Sequence, residues 1–255
     1  MIFSQAKNAN LIDGESPMVE LELDEGLAVI TIDRPQARNA IAPETMDQLE
    51  TALGEAKGAQ ALVIKGGGDK AFVSGGDLKQ LSALRTIEEA EAMAWRMRGI
   101  CDQIAAFPAP VVAALNGHAL GGGAEVAVAA DIRIAADDIR IGFNQVTLAI
   151  MPAWGGAERL AQLVGKSRAL LLAGGGALLG AAEAERIGLV DRVLPRESFD
   201  EGWKAVARSL ANNSSGDVKR VIGGATPDEA VAAFARLWVA DEHWEAADRV
   251  MNRKR

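Results

Sequence analysis

Gly121-Gly122-Gly123-Ala124-Glu125 sits between Val111-Val112-Ala113-Ala114-Leu115 and the apolar run Val126-Ala127-Val128-Ala129-Ala130. The order reads as strand, turn and helix. A β-rich run ends at Asn116-Gly117, the glycines let backbone approach a bound group without Cβ interference, and the Ala/Val run carries a helix inward. A helix starting near Gly122 leaves its first N–H groups without intrahelical acceptors at the positive end of the macrodipole. There they suit a carbonyl oxygen that gains negative charge, with Glu125 one turn further in. Taken alone, the same residues also fit a plainer role, because junction glycines permit close packing and a first-turn Glu complements the dipole. Phosphate cradling fits worse: Walker A needs Gly-Lys-Ser/Thr where Gly122-Gly123-Ala124 stands, and G-x-G-x-x-G needs glycine at Val126.

Working outward, Val19 to Leu23 alternates apolar and polar, Asp24-Glu25-Gly26 turns, and Leu27 to Ile32 resumes β character, which predicts a hairpin. Met46, Leu49 and Leu53 space out a helix from Pro43, and Ala61 to Lys65 reads as a buried strand. Lys70 to Ser74 leads into a second glycine junction, Gly75-Gly76-Asp77-Leu78. Thr86 and Glu89 form a capping box for a helix with Ile87, Ala90, Met93, Ala94, Met97 and Cys101 on one side, ending before Pro108. Short strands are predicted at Ile132 to Ala135, Arg140 to Phe143 and Leu189 to Val193. Helices are predicted near 157–164, 167–173 and 181–186, with a Gly174-Gly175-Gly176 link between the last two. Beyond Ser198 the pattern is helical, interrupted by a mobile link at Asn212 to Gly216. This end holds Trp203, Phe234, Trp238 and Trp244 on helices too short to form a core, which marks a packing surface, either against the main domain or against another subunit.

The 255 residues, 49% hydrophobic and 24% charged, suit one large α/β domain or a core with a small appendage. The expected division is a mobile tail over 1–17, a core over 18–197 and a helical region over 198–255. A formal charge of −8 argues against a nucleic-acid partner. The single cysteine, Cys101, excludes an intrachain disulfide and fits a reducing compartment, and with no leader signature in residues 1–17 a cytoplasmic location is expected. No run has the apolar length that spans a bilayer. His118 and His243 are the only histidines, too few for a metal site or a Ser-His-Asp triad, and His118 reads as a packing residue after a strand.

The two glycine junctions each follow a β run and precede a helix. Brought together, they would offer a pair of N–H groups to one oxygen, the arrangement that stabilises an enolate. Ala37-Arg38-Asn39-Ala40, Lys70 to Leu78, Asn116 to Glu125 and Pro152-Ala153-Trp154-Gly155-Gly156, in this order, resemble the enoyl-CoA hydratase/isomerase (crotonase) superfamily from about residue 18 to the C-terminus. The resemblance implies a spiral of strand-strand-helix turns, a C-terminal helical region used in forming a trimer or a dimer of trimers, and an acyl-CoA or enoyl-CoA substrate with no further cofactor.

Carried over by motif, Gly76 and Gly122 match the oxyanion-hole donors and Glu125 one of the hydratases' two catalytic glutamates. Ala37, Arg38, Gly76, Asp77, Leu78, Lys79 and Gly122 are placed along the substrate, with Arg34, Arg38 and Lys79 as candidates for the CoA phosphates. The second glutamate belongs in Ile141 to Val146, where hydratases read Pro-Glu and this chain reads Asn144-Gln145. Gln145 holds water but exchanges no proton at neutral pH, leaving Glu125 the only evident acid/base, in apolar surroundings that raise its pKa. A hydratase that tolerates the isostere, a single-carboxylate isomerase, a decarboxylase and a non-catalytic acyl-CoA binding protein all remain open on sequence.

Overall fold

The computed structural model describes residues 16–252, so most of the expected N-terminal tail lies outside the described residues. The hairpin forms as read. β1 (Val19–Asp24) and β2 (Leu27–Ile32) pair antiparallel from Val19 opposite Ile32 to Asp24 opposite Leu27. Glu25 and Gly26, both at positive φ, make the turn. α1 (Pro43–Glu55) follows, with Met46, Leu49 and Leu53 buried and proline in its first turn, where a missing N–H costs no helical bond.

The chain then alternates between two sheets. β3 (Ala61–Gly66) and β4 (Ala71–Val73) precede α2 (Leu78–Leu81) and α3 (Ile87–Ala105); β5 (Val111–Leu115) and β6 (His118–Leu120) precede α4 (Gly122–Ala129). Next come β7 (Ile132–Ala136), β8 (Arg140–Gly142), a 3-10 turn over Asn144–Leu148, α5 (Gly156–Val164) and α6 (Lys166–Gly175). β9 (Leu179–Gly180), α7 (Ala181–Arg186) and β10 (Arg192–Leu194) complete the spiral. One sheet runs β1-β2-β3-β5-β7-β10 and the other β4-β6-β8-β9, so three successive turns give β3, β5 and β7 to the first sheet and β4, β6 and β8 to the second. β2, β3, β5, β7 and β10 pair in parallel, and β5 is buried along its whole length, as parallel strands covered on both faces are.

Backbone groups at the corners, where strands leave one sheet for the other, are satisfied by two buried asparagines. Asn116 accepts from Gly66 N–H and donates to Gly66 O, both at 2.9 Å, and Asn39 donates to Gly67 O and Ala71 O at 2.9 and 2.7 Å. A methyl on Gly117 would stand 2.3 Å from Ala71 N, so only glycine lets the second corner press against the first.

Several expectations change. Ile87 is exposed, and α3 buries only Met97, Ile100, Cys101 and Ile104, all in its C-terminal half. Leu189 and Val190 are buried but precede β10, which begins at Arg192. Gly174 and Gly175 close α6, and Gly176 caps it at φ 69°. His118 lies within β6 and is exposed, its Nδ1 accepting from Arg140 N–H at 3.0 Å.

The C-terminal region has α8 (Phe199–Leu210), α9 (Ser215–Ile222), α10 (Pro227–Trp238) and α11 (Asp241–Met251). α8 buries Phe199, Trp203 and Ala207 in the main core, so Trp203 belongs with the spiral and not with the other terminal aromatics. At the expected mobile link, Asn212 Oδ1 accepts from Ser214 N–H and Ser215 N–H at 3.0 and 3.1 Å, a side-chain turn that starts α9. Among the described residues no helix is long and apolar enough to cross a membrane.

Candidate active site

α4 starts at Gly122, and all of its residues are buried, as expected of a helix that is apolar on every side. Gly121 caps it at φ 55°, with its N–H bonded to Gly142 O at 2.9 Å. In the first turn stands Glu125, 2% exposed. Its Oε2 accepts from Trp154 N–H at 2.7 Å and Gly156 N–H at 2.9 Å, and its Oε1 from Gln145 Nε2 at 2.8 Å. Burial pushes the carboxyl pKa above its ordinary value, outweighing the pull of the Gly156, Trp154, Gln145 and Ala153 hydrogen bonds. The site therefore holds one carboxylate of raised basicity, fixed at one oxygen by backbone and at the other by an amide.

Gln145 lies on the 3-10 turn and is itself buried. It packs against Gly121, where a methyl would stand 3.8 Å from its amide carbon. Its Oε1 accepts from no group among the described residues, although both faces of a buried amide ordinarily find partners.

The glycine junctions, far apart in sequence, lie side by side. Gly75 takes φ 103°, and a methyl there would be 3.4 Å from Gly122 N. Ile41 clamps the first junction: its N–H donates to Gly75 O and its carbonyl accepts from Asp77 N–H, each at 2.8 Å. Gly76 N–H between them, and Gly122 N–H at the helix start, find no acceptor among the described residues. Trp154 packs across both glycines. Its Cζ3 lies 2.1 Å from a Cβ built on Gly122, and its Cζ2 lies 4.0 Å from one built on Gly76.

Among the residues placed along the substrate, the turn that carries Ala37 and Arg38 is tied to the segment Gly76 to Lys79. The link is Arg34, whose Nη2 pairs with Asp77 Oδ2 at 2.9 Å while its Nη1 donates to Ala40 O. Arg34 is buried in this tie and so is removed from the cations that could meet phosphates, whereas Arg38 and Lys79 are exposed. Asp77 Oδ1 caps α2 by accepting from Lys79 N–H at 3.1 Å. Burial raises the Asp77 pKa, but the Arg34 and backbone hydrogen bonds bring it below the usual carboxylate value. Leu78 is exposed beside it.

Sequence reasoning gave no role to the Trp154 and Gly156 N–H donors. The signal lay in Gly155-Gly156. Gly155 takes φ 87°, and a methyl on Gly156 would meet Glu125 Cγ at 2.3 Å, so that turn has to be glycine to bring its backbone onto the carboxylate.

A two-sheet spiral with a glycine-capped buried helix is the fold of the crotonase superfamily. The family profile described as enoyl-CoA hydratase/isomerase matches residues 22–223, and the chain belongs to that family of enzymes. It is similar to the short-chain-enoyl-CoA hydratase of Clostridium acetobutylicum, 36% identical over 204 residues covering 79% of this chain and 78% of that protein. It is similar also to the crotonyl-CoA hydratase of Syntrophomonas wolfei, 40% identical over 195 residues covering 75% of each. Among solved structures, the enoyl-CoA hydratase of Bacillus anthracis superposes with a TM-score of 0.86 at 27% identity, covering 93% of this chain and 97% of that one. The enoyl-CoA hydratase of Thermoplasma volcanium gives 0.82 at 31% identity, covering 94% and 98%.

Proposed function

We propose that this enzyme acts on acyl-CoA thioesters through an enolate, with Gly76 and Gly122 N–H receiving the carbonyl oxygen and Glu125 as the single proton carrier. The names of its relatives support the CoA thioester. The observation that carries the rest is the 2.8 Å bond from Gln145 Nε2 to Glu125 Oε1, with Gln145 read as standing in the place of the hydratases' second carboxylate. Charge developing on the thioester oxygen is stabilised by two fixed N–H dipoles in a nearly dry site. Glu125 Oε1 keeps one lone pair free of Gln145 and takes a proton from the α-carbon of a 3-enoyl thioester. The electrons pass through the conjugated enolate, and the same carboxyl returns the proton at the γ-carbon, which shifts the double bond with nothing gained or lost. Adding water requires proton movements at two places, which a single titratable group serves poorly.

In this reading Arg38 and Lys79 face the CoA phosphates, Ala37 and Leu78 line the path of the cofactor portion, and Asp77 holds the donor loop through Arg34. No cofactor is needed beyond the CoA of the substrate. The exposed aromatic face of α10 and α11 is assigned to contact between protomers in a trimer or dimer of trimers, residues 18–197 with α8 forming the catalytic body.

The test is Gln145→Glu. Wild-type hydration of crotonyl-CoA is expected to be weak, and the variant to gain roughly 10²–10⁴-fold with substrate affinity within a few-fold, while isomerisation of 3-enoyl-CoA is a wild-type activity. Efficient wild-type hydration unchanged in Gln145→Glu would refute the assignment. A protein that binds thioesters yet turns over no enoyl-, β-carboxyacyl- or acyl-CoA would be a binding protein instead.

A further inference from the structure

Trp154 is an apolar residue that meets both donor glycines and the carboxylate. Its indole Cζ3 and Cη2 fill the volume a side chain on Gly122 would take, at 2.1 and 2.4 Å from a Cβ built there. Cζ2 reaches toward Gly76, where Leu81 Cδ1 also stands 2.8 Å from a built Cβ. The Trp154 N–H holds Glu125 Oε2 at 2.7 Å, and its carbonyl accepts from Arg159 Nη1 at 3.2 Å. Trp154 is 7% exposed, so the ring is enclosed as well as tethered.

These contacts triangulate the position of a substrate, on the reading that Gly76 and Gly122 receive its carbonyl oxygen. A thioester with its oxygen at both N–H groups and its α-carbon at Glu125 Oε1 sets its next carbons beside the indole, because the ring lies against both donor glycines and its own backbone N–H lies on the carboxylate. The indole is confined by its packing against Gly122 and its near-complete burial, which leave it little room to swing aside. We propose that Trp154 is the specificity-determining wall of the acyl site, which restricts the enzyme to short, unbranched acyl thioesters. In a packed apolar pocket an extra methylene changes binding by roughly 10–200-fold when it has nowhere to go.

The test is the dissociation constants of butyryl-, hexanoyl-, octanoyl- and decanoyl-CoA, which carry no double bond to react, for wild type, Trp154→Phe and Trp154→Ala. Wild type is expected to lose roughly tenfold or more in affinity from butyryl- to decanoyl-CoA. Trp154→Ala is expected to reverse that preference and Trp154→Phe, which keeps an aromatic ring and the fold, to fall between. Butyryl-CoA is also expected to change tryptophan emission in wild type and not in Trp154→Phe. The same chain-length profile in all three proteins, or an emission change that survives in Trp154→Phe, would overturn the proposal. If no thioester binds more tightly than free CoA in any of them, the placement of the acyl group at Gly76 and Gly122 falls, and this inference with it.

Discussion

α4 and α10 are both short helices of largely apolar sequence, but they bury their residues in opposite ways. α4 uses glycine, alanine and valine and hides all of them, with Gly123 so close to β4 that a methyl would stand 1.8 Å from Val73 O. α10 buries only Ala233 and leaves Phe234 60% and Trp238 46% exposed. Its aromatics meet one another and α11, with Phe234–Trp238 and Trp238–Trp244 centroids each at 5.5 Å. Small residues in α4 allow backbone to approach backbone, which is what places N–H groups beside a carboxylate. Large residues on α10 make no such approach, and their area stays exposed.

The largest effect expected from this contrast is on turnover. Glu125→Gln should lower the native rate by roughly 10²–10⁴-fold, since it removes the only acid/base group placed at the site. A variant with wild-type rates would detach α4 from the chemistry. The pH profile gives a second view of the same carboxyl. Burial raises its pKa above the ordinary 4.5, so the acid limb of kcat/KM should lie above that value and disappear in Glu125→Gln. The sign for stability is opposite. A carboxyl raised on folding contributes stability below its unfolded pKa, and that contribution is lost as pH rises through the folded value. Glu125→Gln should therefore flatten the dependence of urea midpoints on pH in this range.

Next in size is Gly123→Ala, expected to destabilise by roughly 1–3 kcal/mol in urea titration, because the new methyl meets backbone that has no rotamer to change. A loss of a few tenths would mean that α4 and β4 are looser than drawn. On α10, by contrast, Phe234→Ser with Trp238→Ser should move the stability of a protomer by only about 0.5 kcal/mol per exposed site. The same pair should abolish an assembly that light scattering of wild type at micromolar concentration detects as a trimer or larger. A wild-type monomer would count against the role given to that face. The smallest effect is expected at Cys101, whose thiol burial pushes up to about 12. Thiol reagents should leave it unmodified in the native protein and label it in urea.

Much of this division was already legible in the chain. Alternation and turn residues placed β1 and β2, the Thr86/Glu89 box started α3, and Gly121 to Glu125 located α4, because each is a local preference written within a few residues. Ile87 was misread, while Trp203 took the main-domain contact, one of the two that the sequence left open. A helical stripe shows which residues could be buried, and only the neighbouring sheet decides where along the helix burial begins and ends. β9, with two residues, offers no period to detect.

By itself the sequence determined most of the elements and the family motifs, since residue type and spacing are properties of the chain. Only the tertiary structure decided that Gly75-Gly76 lies against Gly122, that Arg34 is enclosed with Asp77, and that Trp154 closes over both junctions while its N–H holds Glu125. Those contacts join residues 29 to 78 positions apart, and their geometry depends on how two sheets and a buried helix pack, which no local pattern encodes.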